Sequence, residues 1–151
     1  MRVVVQRCKY ASCRVDTEIT GQIQNGFLCL VGFCRGDTLE DVALLAKKTA
    51  GLRVFEDERH KMNRSLAEAG GEILAISQFT LYADCRHGNR PSFTEAMEFE
   101  RAKAFYDAYC KALEANNINV YRGIFGADMK IELLNDGPVT ILLLSLIHIS
   151  E

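Results

Sequence analysis

The sequence predicts an α+β domain on three observations: a strand-rich opening, two segments of helical spacing set between strands, and a strand-rich finish. Short runs of β-branched or alternating apolar residues occupy Val3 to Cys8, Ala11 to Val15, Thr17 to Ile23 and Phe27 to Gly32. Turn-forming pieces such as Gln24-Asn25-Gly26 separate them, which is an antiparallel strand pattern. Thr38 then stands as a helix cap with acids in the first turn, and Leu39, Val42, Ala43, Leu45, Ala46 and Ala50 recur at helical spacing. A helix to about Leu52 is expected. Val54 to Glu58 and Ile73 to Leu81 read as strands around a polar stretch holding Asn63 and the Gly70-Gly71 pair. Ser92 and Glu95 lie in capping-box register, and Ala96, Phe99, Ala102, Tyr106, Tyr109 and Leu113 form one apolar face, so a second helix is expected from Ser92 to Asn116-Asn117. Val120 to Ile124, Met129 to Leu134 and Val139 to Leu144 complete the strands.

A chain of 151 residues is long enough for one domain with a buried core, and neither a linker nor an internal repeat divides it. Arg2, Gln6 and Arg7 interrupt the opening valines, so the start reads as a strand rather than a signal peptide, and no segment calls for a membrane. The six cysteines, Cys8, Cys13, Cys29, Cys34, Cys85 and Cys110, form no CxxC pair and no zinc-type spacing with the histidines. Reduced thiols in a cytoplasmic protein are expected, without metal or cofactor. A net charge of −2 gives no overall basic footprint for nucleic acid, although Arg86-His87-Gly88-Asn89-Arg90 and the group Arg7, Lys9 and Arg14 are candidate local patches.

Ser77-Gln78-Phe79-Thr80-Leu81 ends the apolar run Glu72 to Ile76 at a place where substrates often meet a sheet, although polar residues at a strand end more often satisfy nearby backbone groups. Asn135-Asp136-Gly137-Pro138 is a turn signal between two apolar strands, and Gly137 lets a ligand approach the backbone closely. The sequence has no GxSxG elbow, HExxH pair, P-loop or dinucleotide fingerprint, which removes support from triad hydrolases, zinc proteases, nucleotide-dependent enzymes and dehydrogenases. His148 has no partner constellation and is a poor general-base candidate.

Three stretches together resemble the D-aminoacyl-tRNA deacylase family: Ser77-Gln78-Phe79-Thr80-Leu81-Tyr82, Arg90-Pro91-Ser92-Phe93, and Gly126-Ala127-Asp128-Met129 leading to Asn135-Asp136-Gly137-Pro138-Val139-Thr140. The opening Met1 to Arg7, Val31-Gly32 with Gly36-Asp37-Thr38, and Leu52 to Glu58 followed by Lys61-Met62-Asn63 are similar too, so the resemblance covers residues 1–144. It implies a barrel-like mixed sheet with two main helices, and a homodimer with its active sites at the interface. Each site would receive from the other subunit a Gly137-Pro138 turn, cis in the family, whose backbone oxygens hold the amino group of the substrate. Such a clamp contacts what all aminoacyl groups share and excludes an L side chain sterically, so D-aminoacyl-tRNA and glycine mischarged on tRNA are the implied substrates of a proofreading enzyme.

The resemblance further implies that Ser77, Gln78, Phe79 and Thr80 surround the scissile ester, with main-chain N–H groups near Phe79 and Thr80 facing the oxyanion. Thr80 can also be read as a nucleophile, but the motif offers it no evident base; the family suggests instead that the terminal ribose 2′-hydroxyl assists water. Phe125 and Met129 match pocket positions and are open to core packing as well, while Arg7, Arg86 and Arg90 are the candidate tRNA contacts. Two departures stand out. Ala83 occupies a position where many relatives carry glycine, and residues 145–151 form an atypical tail that is open to a reading as foreign sequence.

Overall fold

The computed structural model describes residues 1–145; His148 and most of the expected tail lie outside the described residues. Eight strands and two helices follow one another as β1 (Arg2–Val15), β2 (Glu18–Ile23), β3 (Gly26–Gly32), α1 (Leu39–Gly51), β4 (Phe55–Glu56), β5 (Met62–Arg64), β6 (Glu72–Ser77), α2 (Phe99–Glu114), β7 (Val120–Arg122) and β8 (Lys130–Leu144). β1 is the spine. Its first half pairs with β3 and its second half with β2, while β8 runs antiparallel along its other side. β3, β6 and β7 are parallel neighbours, and the mixed sheet nearly closes into a barrel. β4 and β5 form a separate small hairpin.

The burial alternation of β1 changes phase in mid-strand. Val3 and Val5 face the helices, whereas Cys8, Ala11 and Cys13 face the barrel interior with Ile23, Leu28 and Leu74. Because side chains alternate with a period of two, only an irregularity in pairing can switch faces in this way. The switch falls between Cys8 and Ala11, where the β8 register steps from Cys8↔Asn135 to Tyr10↔Leu134 and skips Lys9; just before it, the register passes from Gln6↔Thr140 to Cys8↔Asn135. Residues 136–139 are thus spent opposite Arg7 alone, and the expected turn between two strands is instead a bulge inside one long strand. The break expected between Cys8 and Ala11 is likewise absent: β1 runs on, paired to β3 up to Cys8 and to β2 from Ala11, with β8 resuming at Tyr10.

α1 begins as the sequence predicts: Thr38 is its cap, and the Asp41 carboxylate accepts the Thr38 N–H at 2.8 Å. α2 does not begin at Ser92. Residues 92 and 96 are held in isolated antiparallel bridges to Asp84 and Cys34, so the Ser92/Glu95 register is used by sheet-like contacts and the helix starts only at Phe99. The two helices pack together over one face of the sheet, with Tyr109 fully buried against Thr49 at 2.8 Å. Tyr106 donates its hydroxyl to Ala75 O at 2.7 Å, which fixes α2 to β6. Burial of each such aromatic contributes about 1.5–3 kcal/mol, and together they set the distance between α2 and the end of β6.

Candidate active site

β6 ends at Ser77, immediately after its last apolar pair, Ala75-Ile76, and the chain then changes course. Gln78 N–H still reaches back to Val31 O at 2.7 Å, but Phe79–Tyr82 form a single 3-10 turn rather than the expected continuation of the strand. Leu81 N–H donates to Gln78 O at 3.2 Å and Ala83 N–H to Thr80 O at 3.1 Å. A turn of this kind leaves its first N–H groups, those of Phe79 and Thr80, without an intrahelical acceptor. Gly32 lets the turn sit directly on β3, since a Cβ at that position would lie 2.8 Å from Gln78 O and 3.0 Å from the Leu81 Cβ.

The turn forms one wall of a cleft of about 730 Å³ at the carboxyl ends of the parallel strands β3 and β6. Ser77, Gln78, Phe79 and Thr80 all line it, and so do Phe125 and Met129 from the segment after β7. Phe125 lies 5.0 Å from Phe99 and 5.8 Å from Tyr106, ring centre to ring centre, so this half-buried residue serves both the cleft and the core. Phe79 is 58% exposed and meets Phe93 edge-on at 5.1 Å. The Thr80 hydroxyl accepts from Gln78 Nε2 at 3.1 Å; a side-chain amide holds a hydroxyl in place but is no base.

Phe99, Gly126 and Asp128 also line the cleft, beyond the residues the sequence marks for it. Phe99 reads in the sequence as part of a helical apolar face. Gly126 has φ +83°, and a Cβ there would come within 2.7 Å of the Phe99 ring, so its glycine is the signal of close approach. Asp128 pairs with Lys130 at 3.0 Å in the open. Among the described residues, no three His, Cys, Asp or Glu side chains come together as metal ligands.

The remaining candidates lie apart from this cleft. Gly137 has φ +131°, its bond to Pro138 is cis, and neither residue is among the cleft walls of its own chain. Arg7 is only 7% exposed, which changes its expected role as a phosphate contact. Its guanidinium donates to Asp136 O at 3.0 Å and to Val54 O at 2.5 Å, and its charge lies 3.5 Å from the Asp136 carboxylate, which Lys9 also approaches at 3.5 Å. Arg7 thus braces the bulge of β8 from within. Arg86 is exposed but engaged by Asp84 through Nε at 2.9 Å and Nη2 at 2.7 Å, an arrangement that, with the Arg86 N–H, pushes the Asp84 carboxyl down to about 2. Arg90 is exposed in the same loop.

A single α+β domain with a largely apolar cleft at the carboxyl ends of adjacent parallel strands belongs to the class of small-ligand-binding domains. The profile of the family described as D-Tyr-tRNA(Tyr) deacylase matches residues 4–144. The chain is 54% identical over 142 residues to a D-aminoacyl-tRNA deacylase of Geobacillus sp. (strain WCH70), covering 94% of this chain and 93% of that one. It is 50% identical over 143 residues to the D-aminoacyl-tRNA deacylase of Rhodopirellula baltica, covering 95% and 99%. Among solved structures, one titled c-Myc DNA Unwinding Element Binding Protein superposes with a TM-score of 0.88 at 39% identity, covering 96% and 99% of the two chains. Another, titled as a probable eukaryotic D-amino acid tRNA deacylase, shares the fold with a TM-score of 0.83 at 17% identity, covering 94% and 97%. The chain belongs to the D-aminoacyl-tRNA deacylase family and is a hydrolase acting on aminoacyl-tRNA.

Proposed function

We propose that the cleft hydrolyses the ester joining a D-amino acid or glycine to the 3′-terminal adenosine of a tRNA, as a proofreading step, and that two copies of the chain complete each other's clefts. The observation that carries this reading is the turn at the end of β6, whose Phe79 and Thr80 N–H groups lack intrahelical acceptors beside the cleft. Two preorganised donors of this kind stabilise the oxyanion of a tetrahedral intermediate. Water attacks the carbonyl with help from the ribose 2′-hydroxyl, and the 3′-oxygen leaves with a proton. Gln78 engages the Thr80 hydroxyl, which supports an orienting role for Thr80 over a nucleophilic one. Phe125 and Met129 offer the apolar wall suited to the terminal adenosine.

Chirality is read by the main chain. Carbonyls of the Gly137-Pro138 segment capture the amino group, and the space left beside them accepts hydrogen or a D side chain but not an L one. That segment does not line its own cleft, which supports donation across a two-fold contact. Among the described residues β8 pairs only with β1, and it exposes Leu134, Leu142 and Leu144 along its length, an apolar edge suited to a second copy. Arg86 and Arg90 are the side chains we assign to tRNA phosphates, and the cytoplasm, where charged tRNA is found, is the compartment. No helix among the described residues is long and apolar enough to cross a membrane.

Deacylation of paired substrates tests the reading. D-Tyr-tRNA and Gly-tRNA should be hydrolysed and L-Tyr-tRNA spared; equal rates on the two enantiomers would refute the clamp. Thr80→Ala should stay active, and a 2′-deoxy terminal adenosine should bind without turnover. The name of the 39%-identical solved structure, c-Myc DNA Unwinding Element Binding Protein, motivates a second reading, DNA binding without hydrolysis. Tight duplex binding together with no deacylation of any substrate would favour it.

A further inference from the structure

We propose that Arg2 is a positioning residue for the deacylation reaction: it holds the Phe79–Tyr82 turn in the orientation its N–H donors need. This rests on the reading of that turn as the oxyanion site. Arg2 and Gly32 are directly opposed in the β1–β3 register, and Gly32 is the glycine on which the turn sits. The missing side chain on β3 leaves room for the turn, and the long side chain on β1 secures it. Arg2 Nη1 donates to Leu81 O at 2.7 Å, and its guanidinium lies 4.3 Å from the centre of the Tyr82 ring. It therefore grips two consecutive residues at the carboxyl end of the turn, where exposed carbonyls favour a cation and an aromatic face adds a cation–π contact.

Position near the start of β1 does not leave Arg2 loose. The Met1 ammonium donates to Asp37 Oδ1 at 2.7 Å with both groups buried, and Met1 O accepts the Ser145 N–H at 2.9 Å. Arg2 itself is paired on both sides, to Gly32 of β3 and to Leu144 of β8. The amino end of the turn is tied separately, through Gln78 N–H to Val31 O. Between these two anchors the peptide planes of Phe79 and Thr80 have their direction fixed. Releasing one anchor lets the short turn rotate, and the donors then miss the position at which negative charge develops. Binding of the adenosine, which uses the opposite wall, is untouched.

Arg2→Ala, Arg2→Lys and the wild type are compared on D-Tyr-tRNA, with thermal unfolding and amide NMR shifts of Phe79 and Thr80 measured on the same proteins. For Arg2→Ala, kcat should fall roughly tenfold or more with KM within about twofold, the expected pattern when transition-state donors are misplaced. The melting temperature should hold, the Phe79 and Thr80 amide resonances should move, and Arg2→Lys should recover part of kcat because an ammonium still reaches Leu81 O. Unchanged kcat in Arg2→Ala overturns the proposal. So does a loss of kcat that follows a fall in melting temperature and is not relieved by lysine, which marks a merely structural residue. Failure of the underlying reading is seen elsewhere: a wild type inactive on D-Tyr-tRNA removes the oxyanion role itself, whereas the amide shifts still report whether Arg2 positions the turn.

Discussion

The turn after β6 and the bulge in β8 are both main-chain devices, yet they are secured in opposite ways. The turn is held by its own domain: Val31 O on one side, Arg2 on the other, and Gly32 beneath it. The bulge is braced from behind by Arg7 and presents its outer side to solvent. Under the proposed function the turn stabilises charge at one point and benefits from fixed support within the protomer, because any reorganisation is subtracted from catalysis. Under the proposed function the bulge enters another subunit's cleft and has to be rigid and exposed at once, a combination that a buried arginine beneath an exposed strand segment provides.

The sharpest way to break this comparison is Gly137→Ala. Its Cβ would lie 2.8 Å from Val139 Cγ2 and 3.2 Å from the Arg7 guanidinium, at φ +131°, where L side chains are strained. The bulge must move, and under the proposed function kcat/KM on D-Tyr-tRNA should fall about 100-fold; near-wild-type turnover would show that the segment has no part in the site. Arg7→Ala comes next. It leaves Asp136 O and Val54 O without their donor, so stability should fall by about 1–3 kcal/mol in denaturant unfolding, with activity reduced as the bulge loosens.

Alkali should separate the two regions further. Cys8 is paired with Asn135 at the base of the bulge, and its thiol is pushed up to about 11 by burial, with the Asp136 charge adding and a backbone hydrogen bond opposing. A folded-state value above the unfolded value of 9.0 means that the unfolded chain releases this proton first. The contribution is therefore complete below about pH 9 and is lost as pH rises through about 11. Melting temperatures across that window should fall for the wild type and fall less for Cys8→Ala. Cys110, pushed up to about 11 chiefly by burial in the core, accounts for part of the remaining decline. The smallest effect is expected at the end of the turn. Ala83 has φ −68° and ψ 131°, a conformation open to any residue, so Ala83→Gly should leave activity intact and cost about 0.4–1 kcal/mol through unfolded-chain entropy.

Local periodicity and residue chemistry were sufficient to read much of this protein from its sequence. They gave the strand segments, α1 with its Thr38 cap and the apolar face of α2, and marked Ser77 to Thr80 as a polar strand end and Asn135 to Pro138 as a turn signal; the functional weight of those two stretches came from the family resemblance. Each of these is written within a few consecutive residues, because capping, alternation and turn propensity act over one or two turns of chain. What the tertiary structure decided is non-local. Whether residues 135–138 reverse the chain or bulge from a continuing strand depends on β1 lying alongside to accept both halves. Ser92 bonds to Asp84 instead of capping α2 because that bridge is available in space, and Arg7 is buried because the bulge wraps over it. Pairing partners far apart in sequence set these outcomes, since a backbone group satisfied by a distant strand no longer follows its local preference.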